Sequence, residues 1–285
     1  MATIGIIGGS GLYRMAALRD AREEAVETPF GVPSDRYLVG SIDGIQAVFL
    51  ARHGRGHRLL PSEINFRANI YGFKKLGVER LISVSAVGSL REELKPLDVA
   101  LPDQFIDWTR RRQSTFFGDG IVAHVSLADP VCAELTGVLQ EAAARAGIAA
   151  RRGGTYLCIE GPQFSTRAES YLYRSFRADV IGMTNVQEAK LAREAEICYA
   201  VLAMITDYDC WREDEAAVTV EEVVARLQQN ARAAEAIVTG AAGRLAGERR
   251  CACARALDNA ILTEPAAIPA EARERLRLIL GHRIR

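Results

Sequence analysis

The sequence predicts an α/β fold, a sheet flanked by helices, and three observations carry that reading. Apolar runs of strand length, each ending at glycine or polar residues, alternate with helical patterns. No long Pro/Gly/Ser-rich linker divides the chain. With 285 residues, 49% of them hydrophobic, the chain is long enough to bury a large core. Thr3 to Ile7 reads as a short β-branched strand ending in Gly8-Gly9-Ser10-Gly11, and Gln46 to Ala51 as a second ending at Arg52-His53-Gly54. Pro61 to Leu76 has a helical pattern that Gly77 stops, and Arg80 to Ala86 is an apolar strand that breaks at Gly88-Ser89. Tyr156 to Ile159 leads into Gly161-Pro162. Helical stretches follow at about Arg167 to Phe176 and Val186 to Glu196, then a buried strand from Ile197 to Ile205. A long amphipathic helix, Val220 to Leu245, and a final helix, Ala270 to Leu280, complete the chain.

Composition narrows the class of ligand. Lys and Arg number 36 against 36 Asp and Glu, so no nucleic-acid or polyanion surface is indicated and a small-molecule ligand is expected. The apolar stretches, roughly ten residues at most, are too short to span a bilayer. Met1-Ala2-Thr3-Ile4-Gly5 lacks a basic n-region and a cleavage site. A cytoplasmic location, away from any membrane, is the expectation. There is no internal repeat or low-complexity segment.

The most informative stretch is Thr206-Asp207-Tyr208-Asp209-Cys210-Trp211, directly after the buried strand. If the strand runs on through its tip, period-two geometry puts Asp207 and Asp209 on one side, at the sheet end where α/β folds bind ligands. Two acids there can read the donor edge of a purine with an exocyclic amine and a protonatable N7. The plainer alternative is that they start a polar loop and cap the next helix. Gly8-Gly9-Ser10-Gly11 is a plausible anion cradle, or simply a tight strand exit. It lacks both the Gly-Lys-Ser/Thr of a Walker loop and the G-x-G-x-x-G spacing. Arg52-His53-Gly54-Arg55-Gly56-His57 sets two guanidiniums and two imidazoles at another strand exit, suited to phosphate oxygens if not merely a solvated basic loop. No Cys/His spacing accompanies it, so no metal is expected there. The hydroxyls of Ser85 and Thr184, each beside a predicted sheet end, can complete an anion site.

Five segments resemble the S-methyl-5′-thioadenosine phosphorylases, in order from about Ile4 to Leu245. They are Ile6-Ile7-Gly8-Gly9-Ser10-Gly11-Leu12, Ala51-Arg52-His53-Gly54, Ala86-Val87-Gly88-Ser89-Leu90, Ile159-Glu160-Gly161-Pro162-Gln163-Phe164-Ser165-Thr166-Arg167-Ala168-Glu169-Ser170, and the segment Thr206 to Trp211. The resemblance implies a single-domain nucleoside phosphorylase fold over 1–285, a mixed central β-sheet flanked by helices, with a C-terminal helical extension at about 249–285. It also implies a homo-oligomer, a trimer or a dimer of trimers. Inorganic phosphate is then a co-substrate that attacks C1′ of a purine nucleoside, with no cofactor. Phosphate is to meet Ser10, which stands where threonine is common, with Arg52, His53, Ser85, the backbone of Ala86, and Thr184. Phe164 is to pack on the purine and sugar, and Met183 beneath the ribose. Asp207 and Asp209 face the base, where Asp207, protonated or sharing a proton, donates to N7 as the catalytic acid and Asp209 holds the amine or orients Asp207. His124 crosses a subunit boundary to close the neighbour's 5′-alkylthio pocket, with Val220 and Val223 supplying apolar wall. Without the resemblance, Phe164, Met183 and the valines would read as core packing.

Two departures stand out. Relatives often have proline where Gln187 stands, and a proline there would fix the start of the helix. The tail from Arg249 carries Cys251-Ala252-Cys253, Leu257 to Thr263 and the final helix, like the longer tail of some bacterial and archaeal relatives. Of the six cysteines, Cys132, Cys158, Cys198 and Cys210 read as packing residues. Cys251 and Cys253 are close enough for a small strained disulfide or a soft-metal clasp, or stay free thiols. Three functions fit: phosphorolysis of S-methyl-5′-thioadenosine; phosphorolysis of 6-oxopurine nucleosides, whose readers usually carry asparagine at the base; and non-catalytic nucleoside binding on the same fold.

Overall fold

The computed structural model describes residues 3–9, 12, 15–212 and 220–284, with the side chains of 220–224, 282 and 284 outside the description. One mixed sheet of eleven strands organises these residues. The strands are β1 (Thr3–Gly8), β2 (Arg19–Glu24), β3 (Tyr37–Ile42), β4 (Ile45–Ala51), β5 (Val78–Ser89), β6 (Val99–Leu101), β7 (Gln104–Trp108), β8 (Ala150–Arg152), β9 (Thr155–Ile159), β10 (Val180–Gly182) and β11 (Cys198–Tyr208). The helices are α1 (Phe66–Lys75), α2 (Ala133–Arg145), α3 (Arg167–Ser175), α4 (Asn185–Glu194), α5 (Val220–Ala242) and α6 (Ala270–Leu280). Among the described residues no helix is long and apolar enough to cross a membrane.

The buried runs β1, β4, β5 and β11 form the middle of the sheet, with β1 parallel to both β4 and β5 and β5 parallel to β11. Their continuous apolar character follows from burial on both faces. Two large clusters line those faces: one contains Ile7, Leu50, Leu81 and Tyr199 with α1 and α4, the other Ile6, Phe49, Ile82 and Leu202 with α2 and α5. The tail packs into the first of these through Leu257, Ile268, Leu276 and Leu280.

Strand β5 is the hinge of the topology. It runs through Gly88-Ser89 instead of breaking there, because β11 pairs with it along one edge to Ser89. Its other edge is divided: β1 pairs with it up to Val84, and β10 pairs antiparallel at Gly88 and Ser89. Neither reaches residues 85–87, and the sheet opens there.

A second irregularity lies opposite. In the β5–β11 ladder Ile205 faces Val87, but it is Asp207 that faces Gly88, so Thr206 is an extra residue in a bulge. Helix α5 braces it: Arg226 Nη1 donates to Thr206 O at 2.8 Å, and Asn230 Nδ2 to Ile205 O at 3.0 Å. Two boundaries differ from the sequence expectation. Helix α1 begins at Phe66, not Pro61, because Asn65 caps it by accepting from Ala68 N at 3.1 Å. Helix α5 ends at Ala242 and tightens into a 3-10 turn over Gly243–Leu245.

Candidate active site

Beyond the bulge the chain continues the ladder, Asp209 N donating to Ser89 O at 3.0 Å, and both acids come to lie over one glycine. A Cβ placed on Gly88 would stand 3.2 Å from Asp207 Oδ1 and 3.5 Å from Asp209 Cβ. The pair therefore shares a side of the sheet, as its spacing suggests, and the missing side chain of Gly88 leaves room for it. Thr206 Oγ1 donates to Asp207 Oδ2 at 2.6 Å. Asp209 is buried, and its Oδ2 has no hydrogen-bond partner among the described residues. Burial raises the Asp209 carboxyl above its ordinary range, against a smaller downward pull from the Ser170 hydroxyl. A buried, unpartnered oxygen on an acid biased toward its protonated form is suited to meet a polar ligand edge. Gly88→Ala is expected to press on Asp207 and on Ile181 Cγ2, 3.1 Å from the added carbon, and so to lower turnover while the melting temperature falls by only a few degrees. Turnover unchanged beside a large stability loss would show that Gly88 only serves packing.

The second group gathers where β5 loses its partner. Gly9 N donates to Val84 O at 3.0 Å, and a Cβ on Gly9 would stand 2.6 Å from Arg52 Nη1 and 3.7 Å from Ser85 Cα. Only glycine lets this turn, the Arg52 guanidinium and β5 approach so closely. Ser85 is buried, its hydroxyl 3.4 Å from that of Tyr156. Ala86 follows in the unpaired part of the strand edge. Thr184 precedes α4, and its hydroxyl does not cap the helix. The Thr184 hydroxyl instead lies 3.4 Å from Asn185 Oδ1, at the N-terminal end of α4.

Arg52 departs from the sequence expectation. The side chain is buried and most of its fork is held within the protein, pairing with Glu188 through Nε and, at 3.2 Å, through Nη2. Nη2 also donates to Ser83 Oγ at 2.5 Å and Nη1 to Val84 O at 3.1 Å. Ser83, Asn185 and Tyr199 complete the network around Glu188, with Tyr199 OH donating to Glu188 Oε2 at 2.8 Å. A buried guanidinium cannot be left unpaired, and Glu188 in the first turn of α4 supplies the charge. His53 differs as well. Its Nδ1 donates to Leu59 O at 2.9 Å and its ring stacks on His57 with centroids 4.5 Å apart. Burial, with Arg52 adding, pushes the ring down to about 4. A neutral ring that donates through Nδ1 is an acceptor at Nε2, not the donor anticipated from sequence.

Met183 is half-buried, its Sδ 2.5 Å from where a Gly161 Cβ would be, so this glycine lets the loop after β9 lie against it. Phe164, on that loop, is 86% exposed and is no part of the core. His124 is exposed too, and it lines a separate cleft of about 670 Å³ whose walls include none of the other predicted site residues. Ser10 and the side chains of Val220 and Val223 lie outside the described residues. Cys210 is exposed, its Sγ 3.2 Å from Ser165 O, and does not pack as expected.

Arg112 was not anticipated. Its buried guanidinium donates to Met183 O, to Glu160 O and, at 3.2 Å, to Gln187 Oε1, and it pairs with Glu160 at 3.0 Å. Gln187 Nε2 in turn donates to Thr109 Oγ1 at 2.8 Å. The start of α4 is held here by side-chain hydrogen bonds.

The central mixed sheet flanked by helices is the fold of the nucleoside phosphorylases. The sequence model of the Phosphorylase superfamily matches residues 3–242. The chain is 61% identical to the S-methyl-5′-thioadenosine phosphorylase of Geobacter sulfurreducens, covering 98% of each. It is similar to the crystal structure of a methylthioadenosine phosphorylase from an antarctic soil metagenomic library, with a TM-score of 0.94, 52% identity, and 98% and 99% of the two chains covered. It is also similar to the Schistosoma mansoni methylthioadenosine phosphorylase in complex with adenine, with a TM-score of 0.83, 33% identity, and 90% and 96% covered. The chain belongs to the S-methyl-5′-thioadenosine phosphorylase family of this superfamily.

Proposed function

We propose that the chain cleaves S-methyl-5′-thioadenosine with inorganic phosphate, giving adenine and 5-methylthio-α-D-ribose 1-phosphate. The observation that carries this reading is the acid pair over Gly88, with Asp209 buried and its Oδ2 without a hydrogen-bond partner among the described residues. As the glycosidic bond lengthens, the ribose gains oxocarbenium character and the purine becomes anionic, so the site must stabilise both charges. Phosphate, bound by the Thr184 hydroxyl, the Ala86 backbone, the start of α4 and Ser10, offsets the first charge from beneath the sugar. The P–OH of hydrogen phosphate donates to His53 Nε2. A proton shared by Asp207 and Asp209 passes to N7 and offsets the second charge, while the carboxylate oxygens accept from the exocyclic amine. Direct attack inverts C1′, and the displacement needs neither an enzyme nucleophile nor a cofactor.

Phe164 covers the purine and sugar, and Met183 lies beneath the ribose. His124, whose cleft is lined by none of the other predicted site residues among those described, serves the 5′-alkylthio pocket of a neighbour in a trimer, or a dimer of trimers, beside Val220 and Val223. Assays with S-methyl-5′-thioadenosine, adenosine, methylthioinosine and inosine, with and without phosphate, test the reaction when the released base is identified. Cleavage without phosphate, or of 6-oxopurine nucleosides alone, would reject it. Binding without turnover would leave a nucleoside-binding protein. The shared site has its own test: mixed His124→Ala and Asp207→Ala chains should regain activity after subunit exchange, and strictly additive residual activity would count against it.

A further inference from the structure

Four cysteines converge away from the acid pair and the Gly9 turn, three of them in the wall of the cleft that His124 lines. Cys132, Cys198, Cys251 and Cys253 hold their sulfurs within 4.8 Å of one another, and all four are free thiols. They come from three segments distant in sequence: Cys132 caps α2, Cys198 opens β11, and Cys251 and Cys253 flank the start of a 3-10 turn over Ala252–Arg255. Cys132, Cys198 and Cys253 are buried and Cys251 is half-buried. We propose that these four sulfurs form a closed tetrathiolate site for a divalent d-block ion of the zinc class, which fastens the C-terminal tail to the first turn of α2 and the start of β11.

The geometry fits that ion. Zinc takes four sulfurs tetrahedrally at about 2.3 Å, which puts neighbouring sulfurs roughly 3.8 Å apart. One pair, Cys198 and Cys251, lies at 3.3 Å and no pair is more than 4.8 Å apart, which brackets that spacing. The surroundings favour thiolate. Leu135 N donates to Cys132 Sγ at 3.5 Å from the N-terminal turn of α2, and Arg193 Nη1 stands 3.9 Å from Cys253 Sγ. Binding replaces the remaining thiol protons, which leave to solvent, and no redox step is involved. With four protein ligands there is no position for a substrate, so the role is structural. The tail held in this way also supports the loop that carries His124, whose N–H donates to Ala260 O at 2.8 Å.

The test uses the full chain purified without chelator. Zinc and iron are measured by plasma mass spectrometry, and release is followed while a mercurial titrates the thiols. One equivalent of either metal per chain, released as four thiols react, is the expected result, and cobalt(II) in its place should give the intense visible bands of tetrahedral thiolate coordination. Cys251→Ser with Cys253→Ser should lose the metal and lower the melting temperature, with turnover nearly unchanged at moderate temperature. Should that variant not fold, metal content and the cobalt spectrum of the unsubstituted chain decide. Metal far below one equivalent after incubation with zinc under reducing conditions would overturn the proposal. So would two disulfides among these cysteines in the freshly isolated protein.

Discussion

Asp207→Asn is expected to lower kcat/KM for S-methyl-5′-thioadenosine by about one to two orders of magnitude while sparing or improving methylthioinosine. A carboxyl that shares a proton can donate to N7 and accept from the N6 amine. An amide supplies no acidic proton but can donate to O6. Asp207 lies within 3.2 Å of the point above Gly88 that Asp209 also approaches, and its second oxygen is already engaged by Thr206, so one mismatched hydrogen bond changes what the pair can do together. The comparison to make is the ratio of kcat/KM for the two nucleosides in the two proteins. If Asp207 served only as a helix cap, asparagine would replace it silently, and an unchanged ratio would establish that.

Arg52→Ala is expected to act first on stability. It removes the partner of Glu188 and leaves a buried carboxylate unpaired, a change of about 3–5 kcal/mol in urea or thermal unfolding. Arg52→Met combined with Glu188→Gln removes both charges and keeps an acceptor for Tyr199 and Ser83, so it should recover at least half of that loss. The outcome that would sink the buried-pair role is an Arg52→Ala protein of normal stability whose only defect is a raised phosphate KM, the behaviour of a guanidinium facing the ligand.

The middle of the sheet was legible because β1, β4, β5 and β11 are apolar runs with plain endings, and the acid pair because two residues of strand carry their own geometry. Other elements gave little signal. Strand β2, Arg19-Asp20-Ala21-Arg22-Glu23-Glu24, is an edge strand of mostly charged residues and has no apolar alternation to read. Strand β10 has three residues and exists because β5 and β9 offer it edges. The bulge at Thr206 depends on how β11 registers against β5, which local pattern does not encode. The inward turn of Arg52 is set by a partner 136 residues away, and local spacing could show only that a guanidinium follows a strand. The gathering of Cys132 and Cys198 around the Cys-x-Cys of the tail is likewise a product of topology, since each alone reads as a small apolar residue.

The divided edge of β5 acts as a gauge. Its free length is the three residues between the last rung to β1 and the first rung to β10. At roughly 3.3 Å per residue that is about 10 Å, the distance that separates the Gly9 turn from the acid pair over Gly88. Backbone ladders fix both ends of this span, so exchanging side chains along it alters which groups the ligand meets and leaves its reach untouched. On the proposed function, longer 5′ substituents would have to be admitted by the flanking loops, since the ladders keep the two ends of the strand's free edge at a constant separation.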